Sequence, residues 1–97
     1  MKLNNDQIRQ LKALAHHLDP VVMIGQNGLT PNVLKEINVA LSSHELIKVR
    51  VLGDDREIRQ SLVEPIVEGS KSVLVQHIGK LLVLYRKNEE ASKIKLS

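Results

Sequence analysis

Two glycines three apart, Gly25 and Gly28, enclose Gln26 and Asn27, and Leu29-Thr30-Pro31 follows at once. Glycine lets a backbone run close to a ligand because no Cβ stands in the way. Thr30-Pro31 reads as the N-cap and first position of a helix. The amides of the loop and of the first helical turn are therefore expected to be free donors at the positive end of a helix dipole. That arrangement suits an anion, and a phosphodiester backbone in particular; KH domains clamp RNA with a GxxG loop of this kind. Two glycines would also serve a plain strand-to-helix turn that binds nothing.

Other chemistries find little support. A nucleotide-cradling loop needs a longer glycine spacing and a lysine followed by Ser or Thr, and the dinucleotide signature needs a third glycine. His16 and His17 are adjacent, so on a helix they diverge by about 100° and cannot share a metal. His44 and His77 have no ligand-type neighbours at a useful spacing. Asp54-Asp55 reads as a helix start. With no cysteine in the chain and no Ser in a strand-to-helix elbow, covalent catalysis has no evident nucleophile. The expectation is a binding protein and not an enzyme, with no metal, no cofactor and no small-molecule substrate.

Charge supplies two further candidate contacts. Arg9, Lys12 and His16 recur at helical spacing and form one basic stripe, and Lys48 and Arg50 share one side of an alternating segment. Residues 70–97 carry 6 basic residues (Lys71, Lys80, Arg86, Lys87, Lys93, Lys95) against 2 acidic ones, whereas residues 1–69 carry 8 against 9. This basic C-terminal segment, with 87–97 as an extension of the domain, is either phosphate-seeking or a solvated tail. Tyr85 is the single aromatic residue among Phe, Trp and Tyr, and its place between Leu84 and Arg86 suits the core. Nucleic-acid contact should then rest on phosphates, helix ends and shape, which favours structured RNA.

The elements that must position these groups are legible as periodicities in a chain of 97 residues, enough for one domain. Ile8, Leu11, Ala15 and Leu18 predict a helix from Asn5 to about Leu18, ended by Asp19-Pro20. Val21 to Ile24 reads as a strand covered on both faces. Val33, Leu34, Ile37, Ala40 and Leu41 line a second helix ending near Ser42-Ser43. Glu45 to Leu52 alternates as a strand with Ile47, Val49 and Val51 inward and Lys48 and Arg50 on a wet face. Ile58, Leu62 and Ile66 predict a third helix opened by Gly53-Asp54-Asp55, with Pro65 kinking or shortening its last turn. Ser72 to Ile78 and Lys80 to Arg86 are strands joined by a tight Gly79-Lys80 hairpin. The fold class is α/β: a single small domain of order α-β-α-β-α-β-β around a four-stranded mixed sheet. No segment has signal-peptide or membrane-span character, and the reading is of a soluble, monomeric, cytoplasmic domain.

LKALAHHLDPVVMIGQNGLTPNVLKEI, ELIKVRVLG, VLVQHIGKLLVLYRKN and KIKL, in this order from about Leu3 to Leu96, resemble the CRM domain (chloroplast RNA splicing and ribosome maturation), in its bacterial stand-alone YhbY form. The resemblance implies a fold similar to the C-terminal domain of translation initiation factor three. It also implies RNA binding, association with precursor large ribosomal subunits through their rRNA, and a role in ribosome assembly. Family loops commonly carry a basic residue where this chain has Gln26 and Asn27, so contact through backbone amides is expected. The family's first helix is commonly more basic than IRQLKALAH, leaving more of the role to Arg9 and Lys12. The competing expectation is a protein-interaction module that uses the sheet and does not touch RNA.

Overall fold

The structure is a computed structural model that describes residues 2–90, 92 and 94–96. Its elements are α1 (Asn5–Ala15), β1 (Pro20–Ile24), α2 (Pro31–His44), β2 (Leu46–Val51), α3 (Arg56–Ser70), β3 (Val73–Ile78) and β4 (Leu81–Tyr85). Each helix begins where a side chain can take an orphan amide. Asn4 and Gln7 form a reciprocal capping box, with bonds of 2.8 and 3.0 Å. Thr30 Oγ1 accepts from Val33 N–H at 3.2 Å, with Pro31 next in line as predicted. Asp55, not Asp54, caps α3 by accepting from Glu57 and Ile58.

The strands run in the order β1-β2-β4-β3, with β1 parallel to β2 and the other two pairings antiparallel. Gly79 and Lys80 make the two-residue turn, with Ile78 opposite Leu81 and Gly79 at φ 57°. Side chains alternate across the sheet, so each face collects its own set. Val22, Ile24, Ile47, Val49, Val51, Leu82 and Leu84 pack against Ile37 and Leu41 of α2 and Ile66 of α3. Leu46, Val75, Val83 and Tyr85 pack on the opposite side against Leu11 and Ala15 of α1. Gly69 lets α3 press on α2: a Cβ there would stand 2.8 Å from a Leu34 methyl.

Two polar knots tie the periphery to this core. The Arg86 guanidinium donates to Asn38 Oδ1 (2.7 Å), Asn38 O (2.9 Å), Ser70 O (2.8 Å) and Ser42 Oγ (2.8 Å), joining β4 to α2 and the end of α3. Glu45, 1% exposed, accepts from the amides of Asn88 and Ile94 and from the Ser92 hydroxyl. It thereby holds the C-terminal segment down, and Ile94 and Leu96 pack beside Leu11 and Tyr85.

Four expectations change. The first helix stops at Ala15, because His17 and Leu18 bond back to Leu14 and Ala15 in tighter turns before the chain turns into β1. β1 is an edge strand and not one covered on both faces: Val22 and Ile24 are buried, but Val21 and Met23 are 52% and 59% exposed. Pro65 does not cut α3 short, which runs on to Ser70. The carbonyl it deprives of a donor belongs to Ser61, and both residues lie on the exposed side, where water can replace the bond. Glu45 is not in the strand; it caps α2 at φ 63°.

Candidate nucleic-acid interface

The GQNG loop joins the end of β1 to the start of α2. Gly28 N–H closes a turn on Gly25 O at 3.0 Å, and Thr30 N–H returns to Gly28 O at 3.1 Å. Gly28 sits at φ 67°, the left-handed region that an L residue enters only under strain, while Gly25 does not. A Cβ at either glycine would meet nothing within 4 Å, so the space outside the loop is open. The amides are less freely available than the sequence implies, since those of Gly28, Thr30 and Val33 serve the turn and the cap. The amides of Gln26, Asn27, Leu29 and Asn32 meet no protein acceptor among the described residues. They lie at the positive end of α2, whose first turn carries no acidic side chain to neutralise it. Gln26 and Asn27 are themselves exposed.

The basic residues occupy the face of the sheet that α1 shares. Lys48 is half-buried and Arg50 exposed, on the opposite side of β2 from Ile47, Val49 and Val51. Arg9 and Lys12 are exposed on α1, and His16 is exposed at its C-cap, one residue past the helix. Gln7 and Leu14 of α1 lie beside Ile94 of the C-terminal segment. At about 100° per residue, the stripe Arg9, Lys12, His16 falls on the flank away from that segment. Arg9 also meets Asp6 at 3.2 Å, but both side chains are nearly four-fifths exposed, a pairing of little strength. The fold thus gathers Gly25, Gln26, Asn27 and Gly28 in one loop at the end of β1, with Arg50 on the neighbouring strand beside Met23. The α1 stripe forms a separate group on the helix.

The C-terminal charges divide. Arg86 is fully engaged with Asn38, Ser42 and Ser70, and Lys80 pairs with Asp54 at 2.9 Å. That lysine, and more distantly Arg59, holds the Asp54 carboxyl below its ordinary pKa. Lys71, Lys87 and Lys95 are exposed, and Lys93 lies outside the described residues. Tyr85 is buried, as its sequence position suggests, and desolvation aided by Glu45 and Glu89 raises its pKa. A feature that sequence reasoning missed lies on the same face as Arg50. Met23, Arg50, Leu81 and Ile78 are aligned across all four strands by register, and among the described residues none of the four belongs to the buried cluster beneath α1. The exposed residues Met23 and Ile78 carried a signal only in hindsight, since strand order cannot be read from periodicity.

Comparison with known proteins agrees with this fold. The profile of the CRS1 / YhbY (CRM) domain family matches residues 3–86. A Haemophilus influenzae protein named RNA-binding protein is 57% identical over 94 residues, spanning 97% of this chain and 94% of its own length. Probable RNA-binding protein YqeI of Bacillus subtilis is 43% identical over 94 residues, spanning 97% of this chain and 98% of its own. The solution structure of the hypothetical protein SAV1595 of Staphylococcus aureus, described as a candidate RNA-binding protein, superposes with a TM-score of 0.85. Its sequence identity is 40%, covering 99% of this chain and all of that one.

Proposed function

From the premise that this chain belongs to the CRS1/YhbY (CRM) domain family, we propose that it is an RNA-binding protein that associates with the rRNA of precursor large ribosomal subunits and assists their assembly. The observation that carries RNA binding is the GQNG loop: four amides that meet no acceptor among the described residues, at the uncompensated N-terminus of α2 and opening onto clear space. Relatives that share nearly the whole chain are named for RNA binding, which supports the same reading. In this reading the loop amides bind phosphate oxygens directly, while Lys48, Arg50 and the α1 stripe add charge that holds the backbone in register. The protein acts by binding and needs no cofactor for it.

Sedimentation of a cell lysate tests the assembly role. The protein should travel with free or immature large subunits and be scarce on polysomes, and RNA crosslinked to it in cells should be rRNA of the large subunit. Migration with small subunits only, or with no ribosomal particle, would remove that role while leaving RNA binding to be judged separately. Binding to purified rRNA should weaken steeply with salt. Changing Arg9 and Lys12 to Gln should flatten that slope by about one counterion for each cation removed from a phosphate. An affinity indifferent to salt would favour a protein partner instead.

A further inference from the structure

The uncovered row beside the GQNG loop has a composition that phosphate recognition alone does not explain. Met23 pairs with Arg50, Arg50 with Leu81, and Leu81 with Ile78, so one line of side chains crosses β1, β2, β4 and β3 in turn. Helix α1 packs on Leu46, Val75, Val83 and Tyr85, and this line lies outside that cluster, with Met23, Arg50 and Ile78 exposed and Leu81 half-buried. Met23 is 59% and Ile78 53% exposed, and Leu52, two residues beyond Arg50, is 49% exposed. Lys48 and Arg50 are the charged members of β2 on this face, and neither β1, β3 nor β4 contributes a carboxylate to it. The surface is therefore apolar and cationic together, about 14 Å across four strands.

A ligand that satisfies it must offer flat apolar area and negative charge in alternation. An RNA duplex offers only the second, because its base faces are covered by neighbouring pairs. Pressing Met23 and Ile78 against its sugar-phosphate rim would desolvate charge without return. Unpaired nucleotides offer both. Thioether sulfur makes favourable contacts with aromatic rings, and a guanidinium plane stacks on a base face while staying charged. Four-stranded sheets elsewhere bind two or three splayed bases on such a face, there with aromatic side chains.

We propose that this row is a platform for unpaired RNA nucleotides. The bases lie on Met23, Leu81 and Ile78, the Arg50 guanidinium stacks on one of them, and the phosphates turn toward Lys48 and the loop amides. The assignment rests on the RNA-binding reading above and deepens it. It also revises the expectation of structured RNA drawn from the lack of aromatics: the target must present a single-stranded loop, bulge or end at this face. Aliphatic contact discriminates weakly among bases, so the preference is for unpaired over paired RNA and not for a particular sequence.

Methyl NMR of the full-length protein gives a direct readout, since the buried Tyr85 ring cannot report on this surface. Titration with a short mixed-sequence single-stranded RNA should move the Met23, Leu81 and Ile78 methyl signals upfield by base ring currents. A blunt duplex of the same sequence should not. In affinity measurements, the Met23→Gln, Ile78→Gln double variant should lose about tenfold for the single strand and less than about twofold for the duplex. Arg50→Lys should weaken single-strand binding at an unchanged salt slope, because charge is kept and the stacking plane is lost. Amide spectra of each variant establish that it is folded, as substitutions at exposed positions should allow. Equal losses for both RNAs, or binding without methyl shifts, would overturn the platform and leave RNA binding intact. Failure of the unmodified protein to bind either RNA would overturn both. Methyl shifts produced by poly-glutamate and not by RNA would assign the row to an acidic protein.

Discussion

On one face of the sheet, Ile24, Val49, Leu82 and Leu84 are sealed from water beneath Ile37 and Leu41 of α2 and Ile66 of α3. On the other, α1 covers Leu46, Val83 and Tyr85, and the next row, from Met23 to Ile78, is left open. Two helices face one, and the shorter cover exposes about the width of a strand row. Burial of apolar area near 25 cal/mol per Å² makes the first face the main source of stability. Apolar side chains left on the second contribute little to folding and are available for contact. The comparison teaches that, on the proposed RNA-binding reading, stability and recognition are divided between the two sides of the same strands, so alternate residues of β2 would serve different ends.

Four measurements would sharpen or break that division. The largest effect is expected at the sealed face: Leu82→Ala should destabilise the protein by about 3 kcal/mol in urea unfolding. The affinity of its folded fraction for RNA should stay unchanged. Arg86→Ala should follow with about 2 kcal/mol, because the carbonyls of Asn38 and Ser70 lose a buried donor. It too should leave RNA binding alone, which would mark this arginine as a structural tie between helices and strand.

Gly28→Asp should reverse the pattern. Its left-handed φ costs the new residue about 1 kcal/mol in stability. The carboxylate placed before the α2 amides should lower RNA affinity at least about tenfold, or ~1.4 kcal/mol. Binding undiminished in a folded Gly28→Asp protein would move the phosphate site away from the loop. The smallest effect concerns Tyr85, under α1. Its pKa is raised, so the tyrosinate absorbance of the native protein should develop above the ordinary value of about 10. The unfolded chain ionises first, and stability should therefore hold through neutral pH and decline only as pH climbs past that value. A normal titration would mean that the α1-covered end is as wet as the open row.

Much of the architecture was legible because its signals are local. Thr30-Pro31, the alternation of β2 and the Gly79-Lys80 turn each act through bonds within a few residues, and each lies where its spacing puts it. What was hidden depends on partners remote in sequence. VVMI has the apolar run of a doubly covered strand, yet strand order makes it an edge, and from that the exposure of Met23 follows. Arg86 reads in the sequence as the end of a strand in a basic stretch, and only the fold brings it Asn38, 48 residues away, as an acceptor. Glu45 reads as the polar start of a strand, whereas a left-handed turn carries it inward to meet Asn88 and Ile94. Of the candidate site, the loop was readable from residue types alone. The availability of each amide was not, since it depends on the turn that Gly28 closes.

The position of β4 has a consequence for how the protein is made. Among the described residues it is the last helix or strand in chain order, so it leaves the ribosome after β1, β2 and β3, yet it belongs between β2 and β3. Until residues 81–85 emerge, β2 has a neighbour on one edge only, and the half-built sheet lacks Leu82 and Leu84 beneath α2 and α3. The four-stranded sheet cannot be completed strand by strand in chain order. The β3–β4 hairpin, closed by a two-residue turn, is the unit that can form locally and then slide into the waiting gap. A growing chain therefore carries an open β2 edge from the emergence of that strand until β4 arrives, an interval in which it is exposed to pairing with other nascent chains.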